Sequence, residues 1–378
     1  MRIVNIVGAR PNFMKMAPLV RAMRRDPTIQ ATLVHTGQHY DAAMAGQFFR
    51  DLELPSPDVS LDVGSGSHAF QTGEVMKRLE PVLMDVRPNV VVVVGDVNST
   101  LAAALTASKL CMPVAHVEAG LRSFDRSMPE ELNRLLTDAI SDYLFVTEAS
   151  GRTNLLREGV DAEKIHMVGN VMIDSLEQCR SVWTQSAVLT QLGLKRGEYG
   201  VVTLHRPSNV DDPAILRGLL KALTEISRRI PLVFPVHPRT RVRLEAIEAE
   251  AAPSAVASMR YIAPLGYLDF IGLVAGSRLA MTDSGGLQEE TTALSIPCLT
   301  LREQTERPIT VDEGTNRVIG TSPGRIIEET FRVLADPMPV VPRPALWDGQ
   351  AASRIVAVLT GSPRATAAAQ GGESEEAR

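Results

Sequence analysis

Short, β-branched apolar runs separated by amphipathic stretches recur along the chain, and the whole pattern occurs twice. In the first half the runs fall at 3–7, 32–35, 90–94, 114–117, 144–147 and 165–168. They restart at 201–204, 232–236, 260–262, 279–282, 298–301 and 317–319, with helical periodicity between them, as over 214–228. Continuous apolar runs of this length suit strands buried on both faces of a parallel sheet. Alternation of βα type, run through twice, predicts an α/β protein of two domains. The boundary is expected near 169–175, where a long polar, helix-like segment opens. Domains of 1–170 and 171–345 follow, then a helix within 346–360 and a Gly-, Ser-, Ala- and Glu-rich stretch over 361–378 that reads as a disordered tail.

Composition narrows this little. The 378 residues are 44% hydrophobic and 22% charged, ordinary for a globular chain long enough for two cores. A net charge of -5 and the absence of a long basic run argue against nucleic acid or an anionic membrane as partner. Cys111, Cys179 and Cys298 are far apart and form no CxxC pair, which disfavours a disulfide framework or thiolate zinc site and suits a reducing cytoplasm. The apolar start, MRIVNIVG, is too short for a signal segment and reads as a first strand.

Ligands of open α/β sheets bind beyond the carboxyl ends of the strands, so polar residues there are the candidates. After the first strand, GARPNFMKMAPL brings Gly8, Arg10 and Lys15 to a helix start, as a diphosphate site would. The fingerprint GxGxxG is missing, which counts against a nicotinamide or flavin enzyme. GDVNST puts Asp96 at one strand tip, HVEAGLRS puts Glu118 at the next, and PEELNR adds Glu130 and Glu131 at a helix front. Each acid alone could be a cap or a dipole partner, but gathered carboxylates acquire separated pKa values and so acid and base roles. In the second half His205 with Arg206, and His237 with Arg239, sit at strand ends in a spacing that is no zinc motif, so no metal is expected. DSGGLQEE follows a strand with Ser284, Gly285 and Gly286 at a helix start, where backbone N–H groups favour phosphate; Glu289 and Glu290 come one turn later, suited to a ribose diol. A plain capping box is the competing reading. TLREQTERPIT supplies Arg302, Thr305, Glu306 and Arg307.

These segments, with TGQHYD, LHRPSN and PVHPRT and in this order, resemble the non-hydrolysing UDP-N-acetylglucosamine 2-epimerase family across roughly residues 1 to 360. The resemblance implies two Rossmann-like domains facing a deep cleft, as in GT-B glycosyltransferases, with a C-terminal helix over 347–360 returning to the first domain. It places uridine near Pro264, Leu265 and Phe270, ribose on Glu290, and phosphates on Ser284, Gly285 and Gly286, with Arg10 completing the clamp. Lys15, Asp96, Glu118, Glu131, His205 and Arg307 become ligand-contacting or catalytic positions, with His237 nearby. It also implies a homodimer, no cofactor, and a UDP-sugar as the small-molecule partner.

The chemistry fits without a nicotinamide. The C2 hydrogen is not acidified by a carbonyl, but departure of UDP puts positive charge on C1 and acidifies it, giving 2-acetamidoglucal; protonation on the other face and re-addition of UDP complete the inversion. Asp96, Glu118 and Glu131 are assigned proton transfer and cation stabilisation, and His205 with Arg10 the departing diphosphate. Domain closure about a hinge near 169–175 would keep water out. Many members have Arg-Pro-Glu and Gln-His-Arg where this chain has Arg10-Pro11-Asn12 and Gln38-His39-Tyr40, and often a basic residue at Phe70. These departures count against an activating second UDP-N-acetylglucosamine site and leave a UDP-diacetamido-uronic acid as an alternative substrate. A hydrolysing epimerase, a GT-B glycosyltransferase and a non-enzymatic nucleotide-binding module are the other readings.

Overall fold

The computed structural model of the chain describes residues 1–37, 52, 54–250, 259–336 and 341–361, and the side chains of these except Arg10 and 248–250. The expected tail beyond 361 and the Gln38-His39-Tyr40 segment lie outside the described residues. Two compact units result: Met1–Gln178 with residues 345–361, and Cys179–Pro344.

In the first unit, β1 (Arg2–Val7), β2 (Gln30–His35), β3 (Val59–Ser60), β4 (Val90–Val94), β5 (Val114–Val117), β6 (Tyr143–Val146) and β7 (Ile165–Met167) form one parallel sheet in the order β3-β2-β1-β4-β5-β6-β7. β4 is five valines, all buried, as a strand covered on both faces requires. The helices that matter below are α1 (Arg10–Arg24), α2 (His68–Val86), α3 (Asn98–Lys109), α4 (Pro129–Ala139), α5 (Ala149–Arg157) and α6 (Val171–Gln178). Val75, Leu79 and Leu83 of α2 pack with Ala102, Ala103 and Ala107 of α3 over Val91 and Val93.

The second unit repeats the plan. β8 (Gly200–Thr203), β9 (Leu232–Pro235), β10 (Met259–Ile262), β11 (Leu279–Thr282), β12 (Cys298–Thr300) and β13 (Asn316–Val318) are parallel in the order β10-β9-β8-β11-β12-β13. Between them lie α7 (Pro213–Ser227), α8 (Pro238–Glu250), α9 (Tyr267–Ala275) and α10 (Gly285–Leu294), and α11 (Pro323–Ala335) follows β13. Asp212 caps α7 by accepting from the Ala214 and Ile215 amides, and Leu216, Leu219, Leu223 and Ile226 turn to the core. α12 (Ala351–Leu359) belongs to the first unit.

Two expectations change. The segment after residue 168 does not open on a polar helix: α6 buries Val171 through Leu176, because it packs on α1 and α12. Residues 169–175 are held inside the first unit. A Cβ on Gly169 would lie 2.1 Å from the Leu346 oxygen, and Asp174 accepts from the Ala351 and Ala352 amides at 3.0 and 2.7 Å. The two-residue β3 went unseen in the sequence, since it is too short for any periodicity to register.

Candidate active site

Strand order reverses between β1 and β4 in one sheet and between β8 and β11 in the other, and the crevices beyond those strand ends are where open α/β sheets bind ligands. The sequence candidates gather at these two places. At the first, Gly8 is needed for closeness: a Cβ there would sit 2.2 Å from Ser99 Oγ at the start of α3. Asn12 closes the start of α1 by accepting from the Ala9 amide at 3.0 Å and donating to the Val94 carbonyl at 2.8 Å. Arg10 is the first residue of α1, and its side chain lies outside the described structure.

Lys15 is buried in α1 and meets Glu118, with Nζ 2.7 and 2.6 Å from the two carboxylate oxygens. Glu118 follows β5 at φ 72°, a left-handed conformation that costs a side-chain-bearing residue on the order of 1–3 kcal/mol. The Glu118 and Ala119 amides, both donating to the Phe145 carbonyl, hold it there.

Asp96 does not cap α3, whose cap residue is Val97. Its carboxylate, about a quarter exposed, lies 2.5 Å from Arg134 Nη1 on α4. Glu131, also on α4, accepts from the Ser123 amide and hydroxyl, the Phe124 amide, and Arg134 Nε and Nη2. Burial alone would raise its pKa, but the Ser123 amide and Arg134 outweigh burial and hold it below the usual range. Its two oxygens are thus taken up by donors within the unit, whereas Asp96 keeps an exposed edge.

At the second switch point, Asp283 directly follows β11 and is fully buried. It accepts from the His205 and Arg206 amides at 3.0 Å each, and His205 Nδ1 lies 2.8 Å away. Burial raises the carboxyl, yet the His205 contacts and these amides bring it below its ordinary range. A carboxylate on Nδ1 turns Nε2 of the 41% exposed His205 side chain outward. His237 stands 5.7 Å from it, ring to ring, and its Nδ1 accepts from the Arg239 amide.

Ser284 precedes α10 without making a side-chain cap, so the plain capping-box reading does not hold. A Cβ on Gly285 would lie 2.4 Å from Arg307 Nη1, so the bare glycine lets the guanidinium lie against the helix start. Arg307 also pairs with Glu306 at 2.7 Å and Glu289 at 2.9 Å; Arg302 and Arg206 reach Glu306 at 2.8 and 3.3 Å. Burial would raise Glu306, but Arg307, Arg302 and Arg206 hold it well below the carboxylate range. Three guanidiniums facing two carboxyl groups favour an added anion. Glu290 is opposite in character: burial, with Glu289 nearby, pushes it up to about 8 despite the Tyr267 hydroxyl. Leu265 and Phe270 pack, partly buried, beside Tyr199, Leu273 and Leu287.

Sequence reasoning missed Arg134, Asp283 as the partner of His205, and Tyr267. A signal existed for the first: Glu131, Arg134 and Asp138 are spaced i, i+3, i+7, one helical stripe. Among the described residues no group of three or more His, Cys, Asp or Glu could hold a metal ion. None of the described helices is long and apolar enough to cross a membrane.

Comparison with known proteins agrees with this geometry. The family profile described as UDP-N-acetylglucosamine 2-epimerase matches residues 21–360. The UDP-N-acetylglucosamine 2-epimerase of Methanocaldococcus jannaschii is 40% identical over 366 residues, 95% of this chain and 99% of that one. A UDP-2,3-diacetamido-2,3-dideoxy-D-glucuronate 2-epimerase of Pseudomonas aeruginosa is also 40% identical, with the same shares covered. The crystal structure of the M. jannaschii enzyme in complex with UDP-GlcNAc and UDP superposes with a TM-score of 0.88 over 96% of this chain and 100% of that one. With the family profile matched over 21–360 and relatives of 40% identity covered almost end to end, the chain belongs to the UDP-N-acetylglucosamine 2-epimerase family of sugar-nucleotide isomerases.

Proposed function

We propose that the protein interconverts UDP-N-acetylglucosamine and UDP-N-acetylmannosamine by eliminating UDP to 2-acetamidoglucal and adding it back. The observation that carries this is the pair of carboxylates at neighbouring strand tips, Glu118 against Lys15 and Asp96 against Arg134. As the C1–O bond breaks, its electron pair leaves with UDP, and the positive charge on C1 makes the C2 proton removable by a carboxylate. A second acid returns a proton to the opposite face, and the diphosphate oxygen re-forms the bond to C1. Asp96 and Glu118 carry the protons. Glu131, saturated by donors, adds negative charge and fixes Arg134 and the 123–124 turn. Ser284, Gly285, Gly286 and Arg307 take the diphosphate with His205, Glu290 takes the ribose, and Leu265 and Phe270 the uracil, with His237 beside His205. Lys15 serves through Glu118.

A UDP-diacetamido-uronic acid is the second reading, favoured by the equal identity to the P. aeruginosa relative. Proton NMR in D2O separates them. UDP-N-acetylmannosamine with deuterium at C2 is the expected product; free sugar would mean a hydrolase, and an inert substrate would move the assignment to the uronic acid.

The protein is further proposed to be a cytoplasmic homodimer. Leu132 and Leu136 on α4 are 38% and 52% exposed and the neighbouring Phe124 75%, an apolar patch suited to a second copy. Leu136→Glu should yield monomers in sedimentation velocity; an unchanged dimer would place the interface elsewhere.

A further inference from the structure

His116 lies in β5, two residues before Glu118, and is fully buried. Its Nδ1 is 2.6 Å from Asp138 Oδ1 and its Nε2 is 2.8 Å from the Gly95 carbonyl oxygen. Asp138 comes from α4; its Oδ2 accepts from the Gly120 amide at 3.0 Å and lies 2.7 Å from Arg122 Nη2. Arg122 in turn forks onto Glu158 at 2.8 and 2.6 Å. Burial alone would raise Asp138, but His116 and Arg122 outweigh it and keep the carboxyl below the usual range. A carbonyl oxygen can only accept, and so can an ionised carboxylate, so both ring nitrogens of His116 donate.

The two ends of this pair fall on the two loops that matter. Gly95 directly precedes Asp96, adopts φ 66°, and donates its amide to the Val117 carbonyl at 3.0 Å. Gly120 is two residues beyond Glu118. One histidine–aspartate pair is therefore hydrogen-bonded to both strand-tip turns, the one bearing Asp96 and the one bearing Glu118. Elsewhere β5 is Val114, Ala115 and Val117, all buried and apolar, and a fourth such residue would satisfy the core. A buried ion pair adds little stability over an apolar replacement. Charge-assisted hydrogen bonds are short and directional, which suits fixing two loops relative to each other.

We infer that His116 and Asp138 form a buried imidazolium–carboxylate pair that positions Asp96 and Glu118 for proton transfer at C2. The inference rests on the proton-carrying roles given to those two carboxylates above. His116 touches no substrate; it is a positioning residue.

The test is steady-state kinetics on full-length His116→Phe and His116→Gln, together with nitrogen-15 NMR of histidine-labelled wild-type protein and Asp138→Asn. Phenylalanine keeps an aromatic ring, slightly larger than imidazole, and removes both donors; kcat should fall about 100-fold while KM and the UDP Kd move by less than about threefold. Glutamine restores one donor for the Gly95 carbonyl and should recover about tenfold of that loss. In the wild type both nitrogens of His116 should carry a proton, as its two acceptors require. In Asp138→Asn the ring should become neutral with its proton on Nε2. A folded His116→Phe with wild-type kcat, or a wild-type ring with one bare nitrogen, overturns the inference. Should the phenylalanine variant not fold, the NMR decides alone. Wild-type protein inactive on every UDP-sugar tried would sink the proposed function instead, and the ring spectrum would still report on the pair.

Discussion

Single residues at the second switch point are constrained by what lies against them. Gly285 has no room for a methyl group while Arg307 occupies its place, and the obstacle is the far end of a side chain. Gly285→Ala should therefore fold and displace the guanidinium, weakening UDP about tenfold by titration calorimetry, the scale of one hydrogen bond to a charged group. Unchanged UDP affinity would remove Arg307 from the diphosphate site. Glu290 offers a sharper reading because burial holds it up to about 8, so it is neutral near pH 7 in the empty site. Two ribose hydroxyls donating to it favour the ionised form, and binding should then release a proton. Uridine has no titrating phosphate, so its binding enthalpy at pH 7 should vary with the ionisation heat of the buffer, and Glu290→Gln should abolish the variation. A buffer-independent wild-type enthalpy would count against the ribose assignment.

At the scale of an element, α4 is turned opposite to the usual pattern. Its polar residues Glu131, Asn133, Arg134, Thr137 and Asp138 are buried, while Leu132 and Leu136 face outward. Hydrophobic periodicity locates such a helix correctly but assigns its faces the wrong way round, since it presumes that leucines go inward. The inward stripe ties down the 123–124 turn through Glu131 and Asp96 through Arg134. Arg134→Met should lower turnover about 100-fold or more, because Asp96 loses its ionic partner and Glu131 two donors. A variant at wild-type rate would mean that the Asp96 contact has no part in the reaction.

Across the whole molecule, the chain returns to the first unit after Pro344, where Asp174 receives the N-terminus of α12 and Trp347 donates to the Thr147 carbonyl. Burial raises Asp174 from 3.8 to about 6, although the Ala352 and Ala351 amides oppose the shift. For a carboxyl raised on folding, the stabilising contribution is present below its unfolded pKa and is lost as pH rises through the folded one. Wild-type stability should thus fall more than that of Asp174→Asn between about pH 4 and about pH 7 in urea titrations. Parallel pH profiles for the two proteins would show that Asp174 titrates normally.

The sequence by itself determined the two α/β halves, most strand positions and the tips that carry Asp96, Glu118, His205 and Ser284. β-branched runs and glycine-containing turns are local properties that a string displays. The ordered succession of motifs also identified the family. Only the tertiary structure decided which charges meet: Lys15 with Glu118, Arg134 with Asp96, Asp283 with His205, His116 with Asp138. Those partners are separated by 103, 38, 78 and 22 residues. Pairings over such separations are set by strand order and by loop backbone such as the left-handed Glu118, neither of which leaves a periodic trace in the chain.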